Sequence, residues 1–459
     1  MNLNFSMFNI GTLFLVRTPE VFPVGYADKC FKDMKENLHF DFVALLETWN
    51  CRDGVLWKTD KFPRSSYWIN EERDPLEECF VAANKYDMAF LPECGMMDVG
   101  YMKSHEDGMC TSYDGKKSAY GRIGLTPSCP YTLEYLINKY DTLYQKFGHH
   151  KSFKGFCLPC ESSAFVTYDK YTLSAWKEKY GCEMPSPAQM DADRSLELKV
   201  VKFAEEKFLE MYRKLAKHLK EKYKLPLMQY PANKLSYNSY FQPTMVLPND
   251  NLTIMNKVDE LDLLNVQLHP PLHPNPYFFK METEFMLANS IGKPCMADTH
   301  FYHEYGAGRL PDTTPKRIID SVLSTITPNG ISFFCYGFMA EELPLWKKEL
   351  NPGAPVYNVY QEPHTQAARR EMALKAMDYT HKLRHLMENT HHYADCAIYY
   401  PESIDKLNVF ASYPLDHIFG IHEALNAAAI PVKITASIPE NPTQQKVLIM
   451  SSVKAISHE

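Results

Sequence analysis

Ten residues stand out because their types could act together on one substrate and because each closes, or directly follows, a short apolar run. In chain order they are Arg17, Glu47, Trp49, Glu93, Glu161, Tyr230, His269, Asp298, His300 and Tyr336. The runs are IGTLFLVR (10–17), DFVALLETW (41–49), MAFLPE (88–93), GFCLP (155–159), PLMQY (226–230), DLLNVQLH (262–269), KPCMADTH (293–300) and GISFFCYGF (330–338). Four of the ten are carboxylates. Brought to one place, Glu47, Glu93, Glu161 and Asp298 repel one another, and burying like charges together is costly unless one is protonated or paired with Arg17 or a histidine. Cleavage of a glycosidic bond uses such a set: a carboxylic acid with a raised pKa protonates the leaving oxygen, and a carboxylate attacks or activates water. Trp49, Tyr230 and Tyr336 add flat apolar faces for a sugar ring, with polar tips for its hydroxyls.

Taken singly, each residue has a plainer reading. A strand-end Glu also caps a following helix or meets a surface lysine, and Glu47 and Glu93 suit sugar binding or structure better than catalysis. His269 and His300 suit pocket hydrogen bonding better than metal ligation. With Asp298 and a glutamate they nonetheless define the alternative of a metal-dependent barrel enzyme. No metal and no cofactor is assigned. Cys157 and Cys160 form a CxxC, but on a strand the two face opposite ways and no second pair follows, so zinc or redox use is set aside. The pairs His149, His150 and His391, His392 read as surface features at helix ends.

The elements that must position the ten residues follow from patterning. Short strand-type runs alternate with longer amphipathic stretches, the mark of repeated βα units around a parallel sheet. Residues 188–223 are one such stretch, apolar at three- and four-residue spacing with a Lys/Glu-rich opposite face. Eight runs predict a (β/α)8 TIM barrel, whose active site gathers at the C-terminal strand ends; five or six would predict an open doubly wound sheet. No glycine-rich phosphate loop follows any run. The barrel is expected over 1–390, closed by a helix over 361–390. Residues 391–459 then spell strand, helix, strand, strand, the start of a second α/β domain that stops after three strands and reads as truncated.

Composition narrows the class. The 459 residues are 45% hydrophobic and carry a formal net charge of -7, with lysines and arginines scattered, so no nucleic-acid footprint is present. The longest apolar stretches fall well short of the ~20 residues of a bilayer span. The first basic residue is Arg17, so no secretory signal is read. Twelve cysteines then read as reduced, largely buried thiols in a cytoplasmic enzyme.

With these residues in view, the chain resembles the clan A glycoside hydrolases, and among them the family-42 β-galactosidases and their relatives. After strand 4 that family carries Asn-Glu and then a segment ending WLxxKYG; here the text is LPCESSAFVTYDKYTLSAWKEKYG, with Glu161 in the acid/base position and Lys179, Tyr180, Gly181 repeating KYG. At strand 7 the family has KP, apolar residues and the nucleophile Glu; here KPCMAD brings Asp298 to that place. The resemblance implies a retaining, exo-acting β-glycosidase, β-galactosidase- or β-mannosidase-like, acting on an oligosaccharide or glycoside. It also implies a flavodoxin-like second domain and a trimer. The sequence departs from the family at Cys160, which replaces the Asn that contacts the 2-hydroxyl, at Trp176, one position off, and at Asp298, one methylene short. That last departure leaves three readings: Asp298 as nucleophile after a backbone adjustment, another carboxylate such as Glu304 in that role, or a water between the carboxyls. A non-catalytic sugar-binding barrel with a degenerate nucleophile is the reading from a different class.

Overall fold

A computed structural model describes residues 10–45 (less 15, 17 and 21), 53–118 (less 96 and 97), 124–229 (less 160, 161 and 163), 257–268, 295–299, 330–335, parts of 371–386, 393–400, 413–435 and 446–450. All eight expected runs form strands: β1 (Ile10–Phe14), β2 (Phe42–Leu45), β3 (Ala89–Pro92), β4 (Phe156–Cys157), β5 (Leu227–Gln229), β6 (Leu263–Leu268), β7 (Cys295–Thr299) and β8 (Gly330–Cys335). They make one parallel sheet in the order β3-β2-β1-β8-β7-β6-β5-β4. Its two end strands are themselves tied by parallel bridges, Phe90 to Phe153 and Glu93 to Cys157.

From Ala89 the rows run to Phe42, Gly11, Phe333, Asp298 and Gln267. Met228–Leu263, Phe156–Leu227 and the bridge Glu93–Cys157 continue the parallel pairing through β6, β5 and β4 to β3. Between the two bridges, β4's approach spends one residue more than β3, a bulge that contains Gly155. A Cβ there would lie 2.7 Å from the Pro226 carbonyl oxygen, so only glycine fits the turn into β4.

Strand residues divide between two faces. Phe14, Val43, Leu45, Phe90, Phe156, Leu158, Leu227 and Leu264 join one apolar cluster with helix residues such as Phe31, Phe80, Leu136, Leu143 and Leu215. The alternate residues Phe42, Ala44, Leu91, Cys157, Met228 and Leu263 are as buried but stand outside that cluster, on the opposite face. Burial on both faces is why the runs are apolar throughout rather than alternating.

Helices α1 (Tyr26–Glu36), α2 (Pro75–Lys85), α3 (Val99–Ser104), α4 (Pro130–Phe147), α5 (Lys170–Tyr180), α6 (Pro187–Ala192) and α7 (Arg194–Tyr223) follow local rules. Asp74 and Asp169 cap α2 and α5 through side-chain oxygens, and Gly181 ends α5 at φ 69°. The single helix expected over 188–223 is instead two. Asp193 is extended, accepts from the Ser195 N–H and starts α7 afresh, because a short carboxylate serves a cap better than a helix interior.

Asp141 joins α4 to α7 by accepting from Lys222 (2.7 Å), His218 (2.9 Å) and the Tyr223 hydroxyl (2.6 Å). Burial pushes its carboxyl up, but these three donors outweigh burial and hold it below the usual range. Its stabilising effect is therefore complete above about pH 4 and fades as the pH falls through the lowered folded value. Asp141→Ala is expected to cost about 2–4 kcal/mol in urea unfolding at pH 7. The gap between wild type and variant should narrow on acidification; a gap unchanged at pH 3 would show that the carboxylate is not the stabilising species.

Beyond a helical stretch within 371–386, β9 (Cys396–Tyr399), α8 (Tyr413–Ala427), β10 (Val432–Thr435) and β11 (Val447–Ile449) appear in the expected order. They form a parallel sheet in the order β10-β9-β11 around a small core of Ile398, Tyr400, Ile418, Val432 and Ile434.

Candidate active site

Of the ten strand-end residues, Glu93 is described in full and Asp298 by its backbone. Arg17, Glu47, Trp49, Glu161, Tyr230, His269, His300 and Tyr336 lie outside the described residues, as do Cys160, Glu304, His391 and His392. The site is therefore read from the strand ends that carry them.

Glu93 follows β3 directly, is 1% exposed, and donates its N–H to the Leu45 carbonyl at 2.9 Å. It alternates with Leu91 on the face away from the helices, and its bridge partner Cys157 lies on that same face of β4. Burial pushes the Cys157 thiol well up, and the charge of Glu93 adds to the effect. The neighbouring Tyr140 phenol is raised by burial first and then by Cys94 and Glu93, while its hydroxyl donates to the Cys157 carbonyl at 2.6 Å. A buried carboxylate thus stands at this strand end among groups kept protonated. A thiol kept protonated by burial is a poor nucleophile.

Behind the turn that follows Glu93 stands Lys139, 1% exposed, which donates to the Gly95 carbonyl at 3.4 Å and lies 6.0 Å from the Trp57 and Tyr135 ring centres. The sequence reading passed it over. Its signal was a lysine in the buried stripe Tyr135, Leu136, Tyr140, Leu143, Phe147 of α4, where a solvated charge has no place.

At the end of β4, Leu158 donates its N–H to the Met228 carbonyl at 2.8 Å, the last rung before Pro159. The Pro159 carbonyl then accepts from Gln229 Nε2 (3.0 Å) and from one of the mutually touching hydroxyls of Ser162 (3.1 Å) and Tyr212 (3.2 Å). On β7, Asp298 is the fourth of five residues and pairs with Gln267 and Phe333.

Of the pair read as a surface feature, His149 is exposed as expected, whereas His150 needs correction. His150 is buried, stacks on Phe80 at 5.0 Å and 13°, and sits with Asn84 Nδ2 at 2.7 Å from its Nδ1. Ser152 donates its N–H to Asn84 Oδ1 at 2.8 Å, so the amide presents its N–H to His150 Nδ1, which accepts, and the ring proton lies on Nε2. That nitrogen faces Glu77 Oε1 at 3.2 Å, close enough for ion pairing but off the line of a good hydrogen bond. Glu77, His149 and His150 bring potential ligand atoms within 4.8 Å of one another. With its Nε2 protonated, His150 has no lone pair for an ion there, so the trio reads as a packed His–Glu contact.

Among the described residues no helix is long and apolar enough to cross a membrane.

No protein-family model matches the sequence, and a search of curated proteins finds no match. Among solved structures the chain has the α/β fold of glycoside hydrolases. Within these it resembles the GH42 β-galactosidases. A β-galactosidase from the psychrophilic Marinomonas ef1 is 12% identical at a TM-score of 0.71, over 98% of this chain and 73% of that one. A GH42 β-galactosidase from G. stearothermophilus is 12% identical at 0.71, over 97% and 68%. An α-L-fucosidase from Paenibacillus thiaminolyticus is 12% identical at 0.66, over 98% and 61%. At these identities the likeness is one of fold.

Proposed function

We propose that the chain is a (β/α)8-barrel glycoside hydrolase, a retaining exo-acting β-glycosidase with galactoside- or mannoside-like substrates. In this reading Asp298 attacks the anomeric carbon while Glu161 gives a proton to the leaving oxygen. Glu161 then takes a proton from the water that releases the sugar from Asp298. The observation that carries the reading is the eight-stranded parallel sheet, in which β7 pairs Asp298 with Gln267 of β6 and Phe333 of β8. The row is the one that Phe42 holds on β2, on the face turned from the helices. In this reading Asp298 on β7 and Glu161 beyond β4, three strands away in the sheet order, work from two sides of one bond.

Glu93 joins them as an acceptor for sugar hydroxyls, and Arg17, Glu47, Trp49, Tyr230, His269, His300 and Tyr336 complete the shell. The same proposal takes 1–390 as the catalytic unit and 391–459 as the start of a flavodoxin-like domain, supported by a strand order in which the first strand lies between the second and third. It further takes the enzyme as a cytoplasmic homotrimer.

The test is hydrolysis of nitrophenyl β-galactoside, β-mannoside, β-glucoside and β-glucuronide, with the first-formed anomer read by proton NMR. Release of the β-anomer from one of them is the expected result. Initial release of the α-anomer would place a water between the carboxyls, as inverting enzymes do at about 6.5–9.5 Å separation. Tight glycan binding with no turnover of any glycoside would replace the enzyme by a sugar-binding barrel.

A further inference from the structure

We infer that the cleft between residues 61–63, α3 and α4 is a second sugar-binding site, on the outer side of α4 and separate from the strand ends; the choice of ligand class rests on the proposed function. The cleft holds about 520 Å³. Small-molecule sites occupy about 300–1,000 Å³. On α4, Leu136, Tyr140, Leu143 and Phe147 join the apolar cluster of the sheet, whereas Glu134, Asn138, Asp141 and Gln145 line the cleft. At 3.6 residues per turn the two stripes lie on opposite sides of the helix. Phe62, Pro63 and Tyr101 form the facing wall. Tyr135 anchors that wall: its ring meets Phe62 at 5.2 Å and Tyr101 at 4.5 Å, and its hydroxyl donates to the buried Asp98 at 3.2 Å.

The charges decide the class of ligand. Three carboxylates line the cleft, but two are already satisfied: Asp141 by its three donors from α7, and Asp98 by the Tyr135 hydroxyl and the Tyr101 N–H at 2.7 Å. The third, Glu134, is exposed, as is the Asn138 amide, and neither side chain has a hydrogen bond or ion pair among the described residues. Lys61 donates to Gln145 Oε1 at 3.1 Å, which leaves the Gln145 N–H groups for a ligand. Burial and the charge of Glu134 push the Tyr101 phenol up to about 12, so it stays neutral. One uncommitted carboxylate against one ammonium leaves the cleft near neutrality, which favours neither a cation nor an anion. A carboxylate and two amides along one helix stripe, beside aromatic rings, suit a sugar: the planar polar ends meet neighbouring hydroxyls and the rings meet its C–H face. The aromatic surface continues past the cleft, where His105 stacks on Tyr101 at 4.4 Å and meets the exposed Tyr131 at 4.2 Å. An oligosaccharide therefore has a path along α3 and the start of α4.

Amide hydrogen exchange of the full chain carrying Glu161→Gln, with and without millimolar galactotetraose or mannotetraose, tests the inference. Exchange at 58–63 and 98–105 is expected to slow several-fold with at least one of the two sugars, with α7 unchanged. The double variant Glu134→Ala, Asn138→Ala should abolish the slowing. Placed in the otherwise wild-type chain, it should leave kcat/KM on a nitrophenyl glycoside within about twofold, because that short substrate occupies only the strand ends. Both side chains are exposed, so their loss leaves the fold intact. No slowing with either sugar, or slowing that survives the double variant, overturns the cleft as a sugar site. Slowing by spermidine and by neither sugar also overturns it, because the site would then be one for cations. The two proposals fail separately. If wild type turns over no glycoside while exchange responds to the sugar, the hydrolase reading fails and the cleft stands in a sugar-binding protein; turnover with no response in exchange keeps the hydrolase and removes the cleft.

Discussion

Replacing Glu161 by Gln is expected to lower kcat/KM by about 10³- to 10⁴-fold on a glycoside with an alkyl leaving group, and by less than about tenfold on the nitrophenyl glycoside of the same sugar. The difference follows from the proton. An alkoxide is a poor leaving group and waits for the acid, whereas a nitrophenolate departs unaided, so removing the acid is felt only by the first. The constant kcat/KM reports the step in which Asp298 would take the sugar, before Glu161 turns to its second task as base. On the nitrophenyl substrate the turnover number should therefore fall further than kcat/KM, as the glycosyl-enzyme waits for water. Equal losses on both substrates in kcat/KM would remove Glu161 from the acid role and leave it a binding residue.

Asp298→Asn should be the more severe change, abolishing at least about 10⁴-fold of turnover whatever the leaving group, because no covalent intermediate forms without the attacking carboxylate. Its signature is chemical. With Asp298→Gly and azide, the azide takes the vacated place, attacks the anomeric carbon from that side and expels nitrophenolate, giving an α-glycosyl azide from a β-glycoside. A product of β configuration, or an Asp298→Asn variant within tenfold of wild type, would move the nucleophile to another carboxylate, with Glu304 the first to replace. The one-methylene shortening at this position makes the experiment decisive, since retaining enzymes hold their carboxyls only about 5–5.5 Å apart.

The His150 neighbourhood and the Asp193 break show two ways in which one-dimensional pattern falls short. Adjacent histidines after a charged helix look solvated, yet His150 turns in against Phe80, a residue of α2 that only tertiary packing brings to it. The helical periodicity over 188–223 is real on both sides of Asp193, but periodicity cannot tell a continuous helix from two that share a face. A cap residue in mid-stretch was the available clue.

What the sequence determined by itself is the set of strands and their count. Strands buried on both faces must be apolar along their whole length, and that constraint is local, so eight runs and the polar residues closing them could be read directly. Glu93 emerged from that reading as a strand-end carboxylate, and its burial beside Cys157 is what the structure adds. The register could not be read, because it depends on which residue of one strand meets which of another across tens of positions. The pairing of Asp298 with Gln267 and Phe333, the bridges between β3 and β4, and the extra residue at Gly155 all belong to that level. Tyr212 and Gln229 were invisible for the same reason. Their contact with Pro159 joins residues far apart in the chain, and no spacing rule connects a tyrosine in a thirty-residue helix to a carbonyl at the end of another element. Local burial writes itself into residue type, whereas long-range pairing is fixed only when the strands close on one another.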